Sequence, residues 1–525
     1  MRSNGGRHRQ RHPWRTLLET GLSSLNHRLQ ALAPERLAGM RRGIEKESLR
    51  SRADGALARS PHPTALGAAL THPHITTDFS ESQIEIVTGV HARAEQAMAE
   101  LTDWHQAVYR GIGDDRLWVS SMPCYLPPDA EIPIGQYGKS NVGRAKSVYR
   151  MGLSHRYGRR MQTISGIHYN WSLPGLSNDD YFALIRNFRR HSFLLLLLFG
   201  ASPAVCECFV AGQPHELQPL GAKTLHAPHG TSLRMGRLGY QSDAQASLAV
   251  SYNGLDGYGA SLEDALTRAW PAYEGIGIQG PDGDYRQLNT HLLQIENEFY
   301  GTIRPKRTIR SGERPLHALR ERGVEYVEVR CMDLDPFEAV GINASTARFI
   351  DVFLLHCLLS DSPPDSPAEI AALARNQHRT AARGREPGLM LERDGAEVPL
   401  MAWAAELLER CAPVARRLDE AAGGDAHQQA LAAAQAVLAQ PSQLPSARVL
   451  QAMQAEHAGE FGPFIRAQSE RTRDALLALP VSHAEQQRWA TMAADSLAQQ
   501  AAIEAAETQS FEDFRRDYVS PLRLG

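Results

Sequence analysis

Residues 43–50 read GIEKESLR and residues 76–87 read TTDFSESQIEIV, and these two stretches decide the fold that we expect. Side chains two residues apart on a β-strand point to the same face, so the first stretch, read as a strand, places Glu45 and Glu47 together. The second stretch alternates in the same way, and its polar face carries Glu81, Gln83 and Glu85, with Asp78 at its start. The sequence therefore predicts an antiparallel sheet with one acidic face.

Two further strands and a basic segment extend this pattern. The strands are residues 324–330, with Tyr326, Glu328 and Arg330 on one face, and residues 167–172, with His168 and Asn170 on one face. The basic segment is residues 303–310, with Arg304, Lys306, Arg307 and Arg310. A single acidic strand face is usually the solvated face of an antiparallel sheet. Several such strands with a histidine and a basic segment instead favour a site for Mg²⁺ or Mn²⁺ and phosphate, because these ions prefer hard oxygen ligands.

No common nucleotide-binding loop accompanies these strands. The sequence lacks G-x-x-x-x-G-K-[ST], and its G-x-G-x-x-G match at residues 275–280 runs into a Pro-Asp-Gly turn instead of a helix. G-x-S-x-G and H-E-x-x-H are also absent, which argues against an elbow-type serine hydrolase and a zinc protease. We therefore expect a nucleotide site without a P-loop.

The composition is that of a globular chain. Of 525 residues, 42% are hydrophobic and 22% are charged, and 56 basic residues against 59 acidic ones give a net charge of −3. This balance provides no field for binding nucleic acid or an anionic membrane surface. The apolar run that includes Phe193–Phe199 is shorter than the ~20 residues of a membrane span, so we expect a core helix there and no membrane partner.

The cysteines and the N-terminal residues indicate the compartment. Six cysteines are too few for a disulfide framework in a chain of this length, which indicates a reducing compartment and a cytoplasmic protein. Cys206 and Cys208 form a lone C-x-C, for which we expect buried structural thiols, with metal or redox use as the alternative. The basic N-terminal residues lack a continuous apolar segment, so they do not form a secretory signal.

Composition also divides the chain into three parts. Residues 1–15 are expected to be a disordered basic arm, and residues 16–360 a domain dense in short strands and turn signals that carries the chemistry. After the Pro-rich residues 361–367, the composition shifts to Ala, Leu, Gln, Glu and Arg, which predicts a helical C-terminal region over residues 361–525 that packs on the domain. The helix-like runs there include residues 400–411, 430–439 and 485–508.

Eight long segments follow one another in order along residues 40–340. They are GIEKESLR (43–50), LTHPHITTDFSESQIEIVT (70–88), SMPCYLP (121–127), IGQYGKSNVGRAKSVYRMGLSHRYGRRMQTISGIHYNWSLP (134–174), LFGASPAVC (198–206), TSLRMGRLGY (231–240), LLQIENEFYGTIRPKRTIRSGERP (292–315) and GVEYVEVRCMDLDPF (323–337). Together they closely resemble the proteobacterial glutamate–cysteine ligase family. The Ala-rich C-terminal part is compatible with the helical end of that family.

The resemblance implies both a reaction and a fold. The reaction is the ATP-dependent joining of the side-chain carboxylate of L-glutamate to the amine of L-cysteine, through a γ-glutamyl phosphate, as the first step of glutathione synthesis. ATP, L-glutamate and L-cysteine are then the partners, and Mg²⁺ is the cofactor, with Mn²⁺ as the alternative. The implied fold is of the α+β class, similar to the glutamine synthetase catalytic domain, with an antiparallel sheet forming a funnel among surrounding helices. We expect a monomer.

The resemblance also assigns roles to residues. The expected metal ligands are Glu45, Glu47, Asp78, Glu85, His168 and Glu328. The expected substrate-pocket residues are Tyr149, Arg150, Gln162, Asn170, Arg234, Tyr240 and Tyr300. The expected nucleotide-binding residues are Arg304, Lys306 and Arg330. Glu328, Arg330 and Asp78 are the expected catalytic residues: Arg330 neutralises charge on the transferred phosphoryl group, and Asp78 accepts a proton from the attacking amine.

Three other interpretations of the same residues stay open at this point. A carboxylate–amine ligase of the same fold with another amino-acid acceptor, such as 2-aminobutyrate, shares the metal ligands. A two-metal phosphoesterase uses similar ligands but needs neither ATP nor an amine. A non-catalytic metal- or nucleotide-binding scaffold does not need both Arg234 and the paired acidic strands.

Overall fold

The computed structural model describes residues 24–239, 243–246, 248–310 and 312–525. The predicted basic arm, residues 1–15, and the predicted pocket residue Tyr240 lie outside the described residues.

The main sheet is built from strands that are far apart in the sequence. The strands of the described residues are β1 (Arg41–Ser51), β2 (Ile75–Thr77), β3 (Gln83–Val87), β4 (Arg116–Leu117), β5 (Ile167–Ser172), β6 (Ala204–Cys206), β7 (Gln218–Gly221), β8 (Thr224–His226), β9 (Ile303–Lys306), β10 (Tyr326–Met332), β11 (Met390–Arg393) and β12 (Ala396–Pro399). A seven-stranded sheet has the order β2-β3-β1-β5-β10-β9, with β4 also paired to β1. Its strand pairs are antiparallel, as predicted. A three-stranded sheet, β6-β8-β7, and the hairpin β11-β12 lie apart from it.

Helices surround this sheet and make up most of the C-terminal region. They are α1 (24–30), α2 (Pro34–Ala38), α3 (Ala94–Gly111), α4 (Asn141–Tyr157), α5 (Asn178–His191), α6 (Phe193–Phe199), α7 (Glu207–Val210), α8 (Asp243–Ala246), α9 (Leu255–Thr267), α10 (Pro271–Ile276), α11 (Pro315–Arg322), α12 (Ala344–Leu359), α13 (Pro367–Arg383), α14 (Leu400–Ala422), α15 (Ala426–Ala439), α16 (Pro445–His457), α17 (Phe461–Ala478), α18 (His483–Ala505) and α19 (Phe511–Tyr518). The chain is therefore of the predicted α+β class.

The main sheet has one apolar face, and this face forms much of the core. Ile44, Ile84, Tyr169 and Val329 are fully buried on it, together with side chains of α3, α5 and α12. Burying an aliphatic side chain of this size contributes about 1.5–3 kcal/mol, so this face holds the sheet against its helices. Because successive side chains on a strand alternate, the residues between these point to the opposite face, which is polar.

Charged side chains also lie on the apolar face: Arg42 pairs with Asp351 of α12 at 3.0 Å, and Lys46 has a different partner. The side chain of Lys46 is buried, and its Nζ is 2.8 Å from Nε2 of His105 on α3. Burial lowers the pKa of Lys46 to about 7, because the charged form loses its hydration in the core. Within residues 43–50, Glu45 and Glu47 therefore lie on the polar face of the sheet, and Lys46 lies on the apolar face.

The second stretch that opened the sequence analysis forms two strands, not one. β2 ends at Thr77 and β3 begins at Gln83, with a turn between them. The prediction that Glu81 shares a strand face with Glu85 is therefore wrong, because Glu81 lies in the turn between the two strands. Its carboxylate accepts backbone N–H groups of His62 and Gln136 at 2.8 and 2.7 Å, so it fixes neighbouring loops.

Helices of the C-terminal part pack on the rest of the chain. The main core continues from the sheet into α14 and α15, whose Leu407, Leu408 and Leu431 belong to the same cluster as Ile44. Residues 400–411, 430–439 and 485–508 lie in or largely within α14, α15 and α18, and Phe193–Phe199 is the buried helix α6. The division of the chain into a catalytic domain and a helical region stays a prediction.

Candidate active site

The polar face of the main sheet collects charged side chains from five strands. Register explains how: Glu45 on β1 opposes His168 on β5, and Glu47 opposes Glu85 on β3. On the other side of β5, Glu328 of β10 lies between its partners Asn170 and Arg304. Residues separated by up to about 280 positions in the sequence thus share one surface.

Glu45, Glu85 and His168 form the centre of this surface. Their ligand atoms all lie within 4.8 Å of one another. Oε2 of Glu45 is 3.2 Å from Nδ1 of His168, and Oε1 of Glu47 is 3.7 Å from Nε2 of the same ring. Oxygen ligands about 2.0–2.1 Å from Mg²⁺ lie roughly 3 Å apart, so small shifts bring these groups to a common cation.

Glu328 joins this centre to the basic side chains. Its Oε1 is 3.7 Å from Nδ1 of His168 and 3.4 Å from Nζ of Lys306, and its Oε2 is 3.0 Å from Nη1 of Arg330. Burial opposes the charge on Glu328, but Arg330, Lys306 and His168 together hold its pKa well below the usual value. Glu328 is therefore an ionised carboxylate between the acidic and basic halves of the site.

The other carboxylates are held under mutual repulsion. Burial, and then the charge of Asp78, raise the pKa of Glu47 to about 8, against the attraction of Arg234 and Arg330. Burial and the nearby carboxylates of Asp78, Glu45 and Glu47 raise the pKa of Glu85 well above its usual value. Like charges gathered in one buried site are costly unless a cation accompanies them.

The donor set fits a hard divalent cation. The buried Oδ1 of Asn170 has no hydrogen-bond partner, although buried polar atoms nearly always have one. Burial, and then Arg330, lower the pKa of His168, so its imidazole is neutral and able to ligate. Carboxylate oxygens with one imidazole are the ligands that suit Mg²⁺ and Mn²⁺.

Arg234 is almost fully buried, and its charge acts on Glu47. Its Nη2 donates a hydrogen bond to the backbone carbonyl of Arg330 at 2.9 Å, and Nη1 is 4.0 Å from Oδ1 of Asp333. Its Nε has no hydrogen-bond partner. A buried guanidinium with an unused N–H is suited to a substrate carboxylate.

Other predicted pocket residues contact one another or Asp78. Nε2 of Gln162 donates to the Tyr300 hydroxyl at 3.1 Å. Arg150 of α4 donates through Nε to the backbone carbonyl of Asp78. The charge of Asp78 acts on the Tyr300 hydroxyl as well as on Glu47 and Glu85, so Asp78 lies between the pocket and the acidic cluster. Tyr149 precedes Arg150 on α4 and is half-buried beside Tyr300 and Arg304.

Sequence reasoning missed Gly166 and Asp333, which shape this site. The backbone N–H of Gly166 donates to Oε2 of Glu47 at 2.7 Å, and a Cβ there would lie 2.0 Å from Nη2 of Arg234. Asp333 accepts hydrogen bonds from Ser202 and Ser232 hydroxyls, which fixes it behind Arg234. The only sequence signal for Gly166 was its place one residue before a strand that carries a predicted ligand.

We expect cation binding to release protons from this site. Glu47, with a pKa of about 8, is mostly protonated at pH 7, whereas a metal ligand must be a carboxylate. Proton release on adding Mg²⁺ is therefore largest below pH 8 and falls as the pH rises above 8. The affinity for Mg²⁺ should rise with pH up to about pH 8 and level off above it. Calorimetry in two buffers of different ionisation enthalpy measures the protons released.

The control for this experiment is Glu47→Gln, which should release fewer protons per bound Mg²⁺ than the unaltered protein at pH 7. Equal Mg²⁺ affinity at pH 6 and pH 9 would contradict the expectation.

One cavity adjoins the polar face of the main sheet, and a second cavity lies apart from it. One, of about 310 Å³, is lined by Arg304 and Lys306 of β9 together with Tyr258 and Tyr326. A wider one, of about 640 Å³, lies between α5, α13 and α14 and contains none of the predicted site residues. The first cavity alone borders the site described here.

Sequence and structure comparisons agree on one family. A family model described as glutamate–cysteine ligase matches residues 27–177 and 175–380. The chain is 47% identical over 523 residues to the glutamate–cysteine ligase of Alcanivorax borkumensis, covering 95% of this chain and 99% of the relative. It is also 47% identical to the Bordetella petrii glutamate–cysteine ligase, over 97% of this chain and 99% of that one.

Solved structures give the same result. The glutamate–cysteine ligase of Francisella tularensis, in complex with AMP, superposes with a TM-score of 0.87 at 36% identity and covers 92% of this chain and 97% of its own. A bifunctional glutathione synthetase from Pasteurella multocida matches with a TM-score of 0.67 at 24% identity, over 86% of this chain and 55% of that one, and supports the fold.

No helix in the described part of the chain has the length and apolar character needed to cross a bilayer.

Proposed function

The chain belongs to the glutamate–cysteine ligase family and is an ATP-dependent ligase that joins L-glutamate to L-cysteine, and we propose that the polar face of its main sheet is where this happens. The observation that carries the proposal is the meeting of cation ligands with basic side chains at Glu328. Its carboxylate lies 3.7 Å from His168, 3.4 Å from Lys306 and 3.0 Å from Arg330. A site for phosphoryl transfer needs both kinds of group side by side.

ATP is needed because a carboxylate does not react with an amine at neutral pH, since its leaving group would be an oxide. A carboxylate oxygen of the glutamate side chain bonds to the γ-phosphorus of ATP as the bond to the β-phosphate oxygen breaks, and ADP leaves. The product is γ-glutamyl phosphate, an acyl phosphate with a good leaving group. The amine of cysteine then attacks the acyl carbon, the C–N bond forms, and phosphate leaves with the bonding electrons. Positioning and charge stabilisation supply most of the acceleration of the phosphoryl transfer.

Six residues are proposed to hold Mg²⁺, with Mn²⁺ as the alternative: Glu45, Glu47, Asp78, Glu85, His168 and Glu328. Bound there, the cation neutralises phosphate charge as the group transfers. The mutual repulsion of Glu47 and Glu85 supports this assignment, because a cation relieves it.

Arg330, Lys306 and Arg304 are proposed to bind the nucleotide phosphates. Glu328 keeps Arg330 and Lys306 within 3.4 Å of its own oxygens, so their charges are already oriented before ATP arrives. The cavity of about 310 Å³ lined by Arg304 and Lys306 supports a nucleotide position at the β9 edge of the sheet.

Asp78 is proposed to accept the proton that the cysteine amine must lose before it attacks. It is half-buried between the acidic cluster and the pocket side chains Tyr300 and Arg150, where an incoming amine would meet the acyl phosphate. Tyr149, Gln162, Asn170 and Tyr300 complete the proposed substrate pocket. The cytoplasmic location and the monomeric state stay predictions.

The test uses a glutamate analogue whose sulfoximine nitrogen accepts the γ-phosphoryl group of ATP. Once phosphorylated, it mimics the tetrahedral intermediate, to which the site is complementary, so inhibition should be slow, tight and dependent on MgATP. The enzyme is pre-incubated with the analogue with or without MgATP and diluted, and recovery of dipeptide synthesis is measured. Immediate recovery in both arms would argue against an acyl phosphate at this site and favour a phosphoesterase.

Arg234→Lys should raise the KM for one of the two amino acids about tenfold or more while leaving the KM for ATP unchanged. A point ammonium cannot reproduce the paired N–H groups of a guanidinium, and the unpartnered Nε of Arg234 is the group we assign to the substrate carboxylate. Steady-state kinetics with each substrate varied measures the effect. Arg237→Lys, an exposed neighbour in the same segment, is the matched control. An unchanged KM for both glutamate and cysteine would remove Arg234 from the pocket.

A further inference from the structure

Three cysteines converge at a place that the ligase reaction does not use. Cys124 follows β4 in a loop, Cys206 ends β6, and Cys208 lies two residues further in α7. The three sulfur atoms all lie within 4.8 Å of one another. Cys124 and Cys206 belong to a second hydrophobic cluster, separate from the one beneath the main sheet, so this group is distinct from the acidic site.

Backbone N–H groups point at two of these sulfurs. The thiols of Cys124 and Cys208, and then the backbone N–H groups of Cys208 and Tyr125, lower the pKa of Cys206 to about 3. Cys124 and the Leu126 N–H favour the thiolate of Cys208, but Cys206 and burial outweigh them and raise its pKa to about 11. Hydrogen bonds to a sulfur favour its thiolate form, which is the form that ligates metals.

The loop that supplies these N–H groups is held in an uncommon conformation. Tyr125 has a φ of 51°, in the left-handed region that residues other than glycine rarely adopt. A conformation of this kind costs of order 1 kcal/mol and persists where the surroundings over-determine it, often at a functional site. Here it lets residues 125 and 126 direct their N–H groups at sulfurs from a different part of the chain.

We propose that Cys124, Cys206 and Cys208 form a binding site for one soft, thiophilic cation, for which Zn²⁺ is the probe. Zinc–sulfur bonds are about 2.3 Å long, so three thiolates around one ion lie roughly 4 Å apart, and the three sulfurs need only small shifts to reach that spacing. Cys124 and Cys206 are buried, and Cys208 is half-buried. The side at Cys208 is therefore open for the cation to enter and for a water molecule to bind as the fourth ligand. The soft thiolate ligands distinguish this site from the acidic site, because Mg²⁺ prefers oxygen ligands and avoids thiolates.

Binding should join segments that are far apart in the sequence. A cation here would tie the loop around Cys124 to β6 and α7, across about 80 residues of sequence. We therefore expect the ion to be structural, raising thermal stability, because none of the three side chains belongs to the site where ATP and the amino acids are proposed to bind.

The experiment uses the full chain, reduced and freed of metal, and titrates it with Cd²⁺ as a spectroscopic substitute for Zn²⁺. Thiolate-to-Cd²⁺ charge-transfer absorption reports cysteine ligands alone, so binding at the acidic site does not contribute. We expect about one Cd²⁺ per chain, displaced by Zn²⁺ but not by excess Mg²⁺, and one Zn²⁺ in native mass spectrometry. Absence of the thiolate band in the reduced protein would overturn the proposal.

Matched variants distinguish Zn²⁺ binding at these three thiols from binding at the other cysteines. Cys208→Ser, the variant least exposed to folding defects because Cys208 is half-buried, should weaken Zn²⁺ binding at least ~10²-fold and remove the Zn²⁺-dependent rise in Tm. Cys411→Ala, at a buried cysteine of α14, should leave both unchanged. An undiminished thiolate band in Cys208→Ser, or a disulfide between two of the three cysteines in freshly purified protein that resists reduction, would contradict the site.

Discussion

Glu328→Gln is expected to lower kcat by at least ~10²-fold, which is the scale on which loss of one electrostatic stabiliser slows an enzyme. Glutamine keeps the shape of the side chain but removes the charge that pairs with Lys306 at 3.4 Å and Arg330 at 3.0 Å. It also removes a carboxylate ligand that we assign to the cation. The activity left should need more Mg²⁺ than the unaltered enzyme does.

The fold should survive this substitution. Lys306 and Arg330 are partly exposed, with 30% and 20% of their side chains accessible, so solvent screens the charges that Glu328 leaves behind. Dipeptide synthesis against Mg²⁺ concentration, with circular dichroism and Tm as measures of folding, gives the comparison. Glu325→Gln, three residues earlier and bonded to the exposed Thr308 backbone N–H, is the matched control and should retain activity. Magnesium-dependent ATP consumption at the unaltered rate in Glu328→Gln would remove Glu328 from the metal ligands.

Period-two alternation was enough to predict the acidic face. The bounds of β5 match the predicted strand, and β1 and β10 differ from theirs by one or two residues at their ends, because alternating apolar residues define which face is buried. The identity of the reaction came from the order of long motifs, since carboxylates on strands alone are equally compatible with a phosphoesterase.

What the sequence did not predict depends on contacts between distant segments. Glu81 has the right spacing for the acidic face, but the chain turns between β2 and β3 and its carboxylate caps two loops instead. The thiol of Cys124 meets those of Cys206 and Cys208 only through the packing of a loop on β6. Neither outcome is encoded in local periodicity, which reports the face of a side chain and not its partner.

Gly166→Ala is expected to lower kcat/KM for the amino acids by at least ~10²-fold. A Cβ at this position would lie 2.0 Å from Nη2 and 2.5 Å from Cζ of Arg234, so the buried guanidinium must move. Displacing a substrate-positioning group by about 1 Å can cost that much. The backbone N–H that donates to Glu47 is kept, and Gly166 does not have a positive φ, so the methyl group is the only change.

The comparison that isolates the clash is Gly275→Ala, because a Cβ on that α10 glycine meets no atom within 4 Å, and its activity should be unchanged. If Gly166 acts through Arg234, the two residues form one unit, and adding Gly166→Ala to Arg234→Ala should lower kcat/KM by much less than it does in the unaltered enzyme. Full additivity in that cycle would mean that the methyl group acts elsewhere, for example on Glu47 through the strand end. Non-additivity would show that a glycine just before a strand matters because an arginine nearly 70 residues later in the chain lies against it.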